Sequence, residues 1–174
     1  MTLESRKKWI MPDNDEGTFL ERLLEGRDIS DVEKFLNPDI SVLNNFSSLY
    51  DVKKASKRIL KAVNEERKIY IHGDFDADGI CATALLWKFL FKDLSEHLGK
   101  KIDVMPYIPD RGEQGYGLTE SSLNEILDKG GEFVITVDCG IRDGELIEKY
   151  KDLSFVVTDH HQLPEDFSTD HKYP

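Results

Sequence analysis

The sequence predicts an α/β fold in which a parallel β-sheet is flanked by helices, preceded by a short helical lead-in. From residue 68 onward, short β-branched or aromatic segments alternate with helical segments, a pattern typical of βαβ units and a parallel sheet. Acidic, histidine or glycine residues follow each expected strand. Because the ligand site of an open parallel sheet lies outside the carboxyl ends of its strands, these residues are the candidates for a functional site.

The first fifty residues predict the helical lead-in, which we assign to residues 1–50. Thr18 with Glu21, and Ser30 with Glu33, fit the capping-box pattern that marks a helix start. We therefore expect two short helices in this region.

A longer helix is expected at the start of the α/β domain, which we assign to residues 51–174. It runs from Asp51, as its capping residue, to about Glu66, with apolar residues on one face. The other face carries five basic residues, namely Lys53, Lys54, Lys57, Arg58 and Lys61. Such a stripe can meet a phosphate backbone, but a solvated helix face is the more common case, and we expect the latter.

Four strands and three helices are expected beyond residue 67. The strands are 68–72, 101–108, 132–137 and 154–158, and the helices are 79–94, 119–129 and 143–150. The run from Ile80 to Leu90 is almost wholly apolar, which predicts a buried helix. Right-handed connections between parallel strands would bring all four strand ends to one edge of the sheet.

Composition limits the class of protein. At 174 residues and 39% hydrophobic, the chain can bury a core as one domain with a small appendage. Its formal net charge of −11 argues against binding nucleic acid through an overall basic surface. Two distant cysteines suggest neither a disulfide framework nor a zinc knuckle. Without an apolar run of membrane-spanning or signal-peptide type, we expect a cytoplasmic protein with no membrane contact.

The first polar turn, "HGDFDADG" at residues 72–79, resembles the opening of an EF-hand calcium loop. The twelfth position counted from Asp74 is Leu85, however, where an EF-hand needs a bidentate glutamate. The turn is therefore expected to join a strand to a helix. The other three turns are "PDRGEQGYG" (109–117), "DCG" (138–140) and "DHH" (159–161).

Carboxylates and imidazoles gathered at one edge predict divalent metal ions. Like charges within a few ångströms raise pKa values and oppose folding unless a cation balances them. Aspartate oxygens together with histidine nitrogens suit Mn²⁺, Zn²⁺ or Fe²⁺ better than Ca²⁺. The number of carboxylates is enough for two ions bridged by one aspartate, and such a pair activates water against a phosphoester.

Each of these residues also has a plainer interpretation. We expect Asp74 to cap the following turn rather than to bind a metal. His72 taken alone reads as a core histidine, but its spacing from the later aspartates of the turn favours a ligand. Asp138 fits a turn residue, and Arg111 fits a loop residue as well as an anion contact. The adjacent histidines 160–161 have no evident packing purpose at a strand end.

The motifs "HGDFDADG", "VDCG" and "TDHH", in this order, resemble those of the DHH phosphoesterase superfamily and, within it, the RecJ-type single-strand exonucleases. The segment "YIPDRGEQGYGLT" (107–119) looks like the one that RecJ-type members carry between the first and third motifs. The similarity reaches the lead-in at "KKWI" and "EKFLNP". Two departures are Phe75, where tyrosine is common, and Gln114, where glutamate is expected.

The resemblance implies a ligand set for two divalent ions, with Mn²⁺ expected and Mg²⁺ as the alternative. His72 and Asp76 would bind one ion. Asp78 and His160 would bind the other, and Asp138 would bridge the two.

The resemblance also implies roles for the residues around the ions. His161 would contact the scissile phosphate, and Asp159 would orient the neighbouring histidines. With Asp138 these two form the expected catalytic group. Arg111, together with His161, would contact the substrate.

The implied activity is metal-dependent hydrolysis of single-stranded DNA from its 5′ end, in DNA repair and recombination. The implied partners are single-stranded DNA with a 5′ end and single-stranded-DNA-binding or replication and repair proteins. Family members carry a further metal-binding aspartate and a second domain, so we expect the amino-terminal part of a longer exonuclease. The alternatives are a DHH-family phosphodiesterase for short oligonucleotides or cyclic dinucleotides, and a non-catalytic DHH-fold replication scaffold.

Overall fold

The computed structural model describes residues 17–112 and 114–163. The chain divides into two compact units, Met1–Tyr50 and Asp51–Pro174. The described part of the first unit contains helices α1 (Phe19–Glu25) and α2 (Val32–Leu36), followed by single 3-10 turns at Ile40–Val42 and Phe46–Ser48.

The two helices of the first unit begin at capping residues. At α1 the expected capping box is present, since Thr18 and Glu21 exchange backbone and side-chain hydrogen bonds. At α2 the expected box on Ser30 is wrong by one residue. The cap is Asp31, whose carboxylate accepts the amide of Lys34 at 3.0 Å.

The second unit opens with helix α3 (Val52–Asn64). Asp51 precedes it but forms no capping bond, because its backbone is left-handed with φ 51°, whereas a capping side chain works from an extended backbone. Its carboxylate lies instead 3.6 Å from the ammonium group of Lys54. The expectation that Asp51 caps this helix is therefore wrong.

The remaining elements alternate as the sequence predicts. The strands are β1 (Ile69–His72), β2 (Val104–Tyr107), β3 (Phe133–Val137) and β4 (Ser154–Thr158). The helices are α4 (Ala77–Lys88), a π-helical turn (Phe89–Leu94), α5 (Ser95–Leu98), α6 (Glu120–Asp128) and α7 (Gly144–Lys149). All strand pairs are parallel in the order β2-β1-β3-β4, which confirms the α/β fold with a parallel sheet.

Two apolar clusters cover the two faces of the sheet. Side chains alternate along a strand, so Ile69 and Ile71 join the cluster that includes residues of α3 and Leu90, while Tyr70 joins the cluster that includes residues of α6 and α7. Both central strands, β1 and β3, are buried along their whole length. This double cover fixes the strand ends that carry the polar turns.

Helix α4 is less buried than its composition predicts. Leu85 is 73% exposed and Ile80 is about half exposed, as is Phe89 at the start of the following π-helical turn. A helix that packs one face on a sheet leaves its opposite face in solvent whatever its composition, so the expectation of a fully buried helix is wrong. Within the described residues, no helix is both long and apolar enough to cross a membrane.

Candidate metal centre at the carboxyl edge of the sheet

The first polar turn is held tightly against the start of α4. Asp76 caps this helix, with one carboxylate oxygen accepting the amides of Asp78 at 3.0 Å and Gly79 at 3.1 Å. A Cβ at position 79 would collide with the backbone of Asp74, so only glycine allows this approach. The Asp76 carboxylate therefore lies at the positive end of the helix dipole.

Asp74 is fully buried beneath this turn. Its Oδ1 accepts the amide of Phe75 at 2.7 Å, and its Oδ2 has no hydrogen-bond partner in the part of the chain that the structure describes. Burial, followed by the charges of Asp76 and Asp138, raises the pKa of Asp74. Asp74 thus accepts one amide of the following turn, as expected, while Asp76 caps the helix; the second oxygen of Asp74 lacks a proton donor among the described residues.

Asp138 follows β3 in a left-handed backbone conformation with φ 63°. This conformation is unfavourable for a residue with a Cβ, and strain of this kind tends to persist at functional sites. The amide of Asp138 donates to the carbonyl of Thr158 at 3.0 Å, which ties the end of β3 to the end of β4. Its carboxylate is turned to His160, whose Nε2 lies 2.9 Å from Oδ1.

Three of the four turns meet at this edge. One ligand atom from each of Asp74, Asp76 and Asp138 lies within 4.8 Å of the others, and the same holds for Asp138, His160 and His161. Asp138 belongs to both groups. A carboxylate shared between a group of carboxylates and a group with two imidazoles matches the donor set of two neighbouring divalent ions. The unpaired oxygen of Asp74 points to the same need for a cation.

Asp159 orients His161 from a nearly fully buried position. One of its oxygens accepts the backbone amide of His161 at 3.0 Å and lies 2.7 Å from the Nδ1 of the same residue; the other accepts the amide of Ile141 at 3.0 Å. Burial works to raise the pKa of Asp159, but these hydrogen bonds outweigh it and lower the pKa. In turn, the bond to Asp159 raises the pKa of His161.

His72 and Asp78 lie outside both ligand groups. The Nε2 of His72 is 3.1 Å from the hydroxyl of Ser122, its Nδ1 is 3.7 Å from Cys139 Sγ, and its ring stacks on Tyr107. Burial lowers the pKa of His72 to about 4, so the imidazole is neutral. Asp78 is exposed in the first turn of α4. Their roles as metal ligands remain predictions.

The remaining polar turn, residues 109–117, lies in the loop between β2 and α6. The guanidinium of Arg111 lies 5.0 Å from the centroid of the Phe75 ring, which places it beside the first turn. The hydroxyl of Tyr116 lies 3.0 Å from Nε2 of His161. Tyr116 was not among the candidates from the sequence, although its position between two glycines of a rim loop was the available signal.

Gln114 anchors this loop, and its hydrogen bonds explain why glutamine occupies the position where glutamate is expected. Its amide nitrogen donates to the hydroxyl of Tyr107 at 2.7 Å and to the carboxylate of Glu125 at 3.3 Å. Tyr107 itself donates to Glu125 at 2.6 Å. A glutamate at position 114 would place two carboxylates on one hydroxyl, so the neutral amide suits this network.

Comparison with known proteins agrees with the geometry. The sequence profile described as "DHH family, N-terminal domain" matches residues 68–174. The single-stranded-DNA-specific exonuclease RecJ of Haemophilus influenzae is 36% identical over 148 residues, which cover 84% of this chain and 24% of that protein. RecJ of Thermus thermophilus is 37% identical over 128 residues, covering 72% of this chain and 17% of that protein.

Two solved structures are similar as well. A crystal structure of exonuclease RecJ bound to manganese superimposes with a TM-score of 0.55 and 34% identity, over 65% of this chain and 28% of that one. The crystal structure of Thermus thermophilus RecJ in complex with Mn²⁺ gives a TM-score of 0.53 and 29% identity, over 82% and 19% of the two chains. The chain thus spans less than a third of the length of these relatives. With the profile matching more than half of its residues, the chain belongs to the DHH family.

Proposed function

We propose that the chain is the catalytic amino-terminal part of a RecJ-like exonuclease that hydrolyses single-stranded DNA from its 5′ end with two divalent metal ions. The observation that carries this proposal is that Asp138 belongs to both clusters of possible metal ligands, the one with Asp74 and Asp76 and the one with His160 and His161. The relatives described as single-stranded-DNA-specific exonucleases support the choice of substrate.

Mn²⁺ is the proposed metal, because mixed aspartate and histidine donors suit it and two similar RecJ structures contain it; Mg²⁺ is the alternative. Asp76, Asp138 and His160 would hold the ions, with His72 and Asp78 as the further proposed ligands. When bound, the ions supply Lewis acidity to the phosphate oxygens and an activated water. The protein contributes the fixed positions of the ligands, since Asp76 is locked by α4 and Asp138 by β4.

His161 is the proposed contact to the scissile phosphate. Asp159 occupies Nδ1, so Nε2 is the nitrogen that faces the rim. Because the pKa of His161 is raised, the imidazole holds a proton more readily than a free histidine. A phosphate oxygen would replace the Tyr116 hydroxyl as the partner of Nε2 and accept this charge-assisted hydrogen bond. His161 would thus offset the negative charge that develops on the phosphate oxygens, while Asp159 orients it and Asp138 holds the metal ions.

Arg111 is the proposed contact to the incoming strand. It is exposed, and its guanidinium is held beside the first turn by the Phe75 ring. A locally placed cation of this kind fits a chain whose net charge is −11, because a phosphate backbone then has to be bound at specific points. Association with single-stranded-DNA-binding or replication and repair proteins, and a cytoplasmic location, belong to the same proposal.

The test compares substrates on the full-length gene product with Mn²⁺. Long 5′-phosphorylated single strands should be degraded to mononucleotides from the 5′ end, faster than dinucleotides, cyclic dinucleotides or blunt duplexes. Preference for dinucleotides or cyclic dinucleotides would assign the site to the other phosphodiesterases of the family. Failure to bind Mn²⁺ by calorimetry would favour a non-catalytic scaffold.

A further inference from the structure

Tyr116 is an exposed aromatic side chain held in place at the rim of the metal centre. It is 56% exposed, yet two separate segments fix it. Its hydroxyl lies 3.0 Å from Nε2 of His161. Its ring meets the Phe75 ring edge to face, with centroids 6.1 Å apart and planes at 84°.

The same rings form a continuous row that starts at Arg111. The guanidinium of Arg111 lies 5.0 Å from the Phe75 centroid, Phe75 contacts Tyr116, and Tyr116 meets His161 with centroids 6.0 Å apart. Proteins that hold single strands use such exposed aromatic rings and guanidinium planes to stack bases that have left a duplex.

The position of Tyr116 restricts what it can bind. The ring lies next to the histidine that we assign to the scissile phosphate, with the two ring centroids 6.0 Å apart. A surface aromatic that served only to pack the loop would gain most from being buried, yet more than half of Tyr116 remains accessible.

We propose that Tyr116 is a stacking subsite for an unpaired nucleobase of the strand whose phosphate lies at His161, and that Phe75 holds its ring in position. This subsite rests on the proposed function. Every base has a flat π-face, so stacking here is tolerant of sequence. A base paired within a duplex cannot leave its neighbours without cost, so the subsite favours single strands.

The experiment uses the full-length gene product with Mn²⁺ and measures removal of the first nucleotide under single-turnover conditions. Each variant yields a half-saturating enzyme concentration and a maximal rate. The substrates are two 5′-phosphorylated strands of equal length, one with normal nucleotides and one whose first two nucleotides are abasic.

On the normal strand, Tyr116→Leu should raise the half-saturating concentration about tenfold or more, as expected for the loss of one stacked base. Tyr116→Phe keeps the ring and should stay within about threefold of wild type. On the abasic strand, the half-saturating concentration of wild type should rise by the same factor. That of Tyr116→Leu should rise little beyond its value on the normal strand. The abasic strand thus tests the proposal on wild type even if a variant fails to fold.

Phe91→Leu is the matched control, because it removes another exposed ring, one that stacks on Trp87 outside the rim; it should match wild type on both strands. Equal losses for Tyr116→Phe and Tyr116→Leu would overturn the proposal and assign the effect to the hydroxyl on His161. A Tyr116→Leu loss that persists on the abasic strand would overturn it too.

Hydrolysis of bis(p-nitrophenyl) phosphate separates this proposal from the one on which it rests, because that diester has no nucleobase. Mn²⁺-dependent hydrolysis of the diester by wild type, with DNA cleavage that ignores the abasic change, would reject the stacking subsite alone. No hydrolysis of either substrate would reject the proposed function.

Discussion

The two edges of the sheet differ in whether their polar groups are paired by hydrogen bonds. At the amino edge, the guanidinium of Arg67 donates to the hydroxyl of Ser154 at 3.0 Å and to the carbonyl of Glu132, and lies 5.6 Å from the Phe133 ring centroid. The amide of Lys68 donates to the Glu132 carboxylate at 2.9 Å. At this edge, these hydrogen-bond donors are each paired with an acceptor.

The carboxyl edge instead gathers acceptors. Asp74 keeps a buried oxygen without a partner in the described chain, close to Asp76 and Asp138, and Asp138 has a left-handed backbone. Without a cation, this arrangement opposes folding. The comparison indicates that the amino edge contributes stability, while the carboxyl edge, the proposed metal site, holds its carboxylates at a cost in stability. Substitutions at the two edges should therefore change different measurements.

The largest effect is expected for Asp138→Ala in the full-length gene product. Since this carboxylate serves both ligand groups, Mn²⁺-dependent hydrolysis should fall by about a thousandfold or more, while the circular dichroism spectrum stays unchanged. Steady-state cleavage of a 5′-labelled strand measures the loss. Asp152→Asn, an exposed acidic residue, is the control. Wild-type rates in Asp138→Ala would show that the carboxyl edge is not the catalytic site.

Asp74→Asn should separate stability from metal binding at the carboxyl edge. The amide can still accept from Phe75 and adds a donor toward the neighbouring carboxylates, so the metal-free protein should gain about 1 kcal/mol in the free energy of unfolding. Mn²⁺ affinity should fall about 10- to 100-fold. Urea unfolding in EDTA and calorimetric titration with Mn²⁺ measure the two effects.

The pH dependence of wild-type stability should show how the buried Asp74 carboxylate destabilises the folded state. The pKa of Asp74 is raised in the folded state, so its penalty is absent below the unfolded pKa and grows as the pH rises through the interval up to the folded pKa. In Asp74→Asn this loss of stability with rising pH should shrink. An unchanged pH profile together with unchanged Mn²⁺ affinity would mean that Asp74 has no part in the centre.

Asp159→Asn should reduce activity through His161. Asp159 raises the pKa of His161, so the stabilisation from their bond is complete below the unfolded pKa and is lost as the pH rises through the folded pKa. The variant should lower the His161 pKa, shift the loss of activity at high pH to a lower pH and reduce kcat about 10- to 100-fold. NMR titration of the metal-free protein and a pH–rate profile measure this. An unshifted His161 titration would exclude the orienting role.

The smallest effect is expected at the amino edge. Arg67→Met removes two hydrogen bonds and the contact with Phe133, which should cost about 1–2 kcal/mol in the free energy of unfolding. Mn²⁺ affinity should not change, because the carboxyl edge keeps its ligands. Lys57→Met, at an exposed position of α3, removes the same charge and should cost less than about 0.5 kcal/mol. Weaker Mn²⁺ binding in Arg67→Met would show that the two edges are coupled.

Much of this organisation follows from local pattern. The alternation of strands and helices predicted the parallel sheet, and the polar turns after the strands predicted that Asp138 would lie close to both Asp76 and His160. These features depend on residue periodicity and on the topology of parallel sheets, both of which are visible in a sequence.

Other features depend on contacts between distant segments. The isolated oxygen of Asp74 arises because α4 packs on the first turn, and the bond from Tyr116 to His161 joins residues 45 positions apart. The exposure of Leu85 reflects which face of α4 meets the sheet. No local pattern specifies such contacts, so the sequence predicted the location of the site better than its hydrogen bonds.

The most direct test of the central claim is an anomalous-diffraction crystal structure of the full-length gene product soaked with Mn²⁺. We expect two manganese peaks about 3.5–4 Å apart, with the carboxylate of Asp138 between them and with Asp76 and His160 on opposite sides. A single ion, or two ions that do not both contact Asp138, would contradict the account.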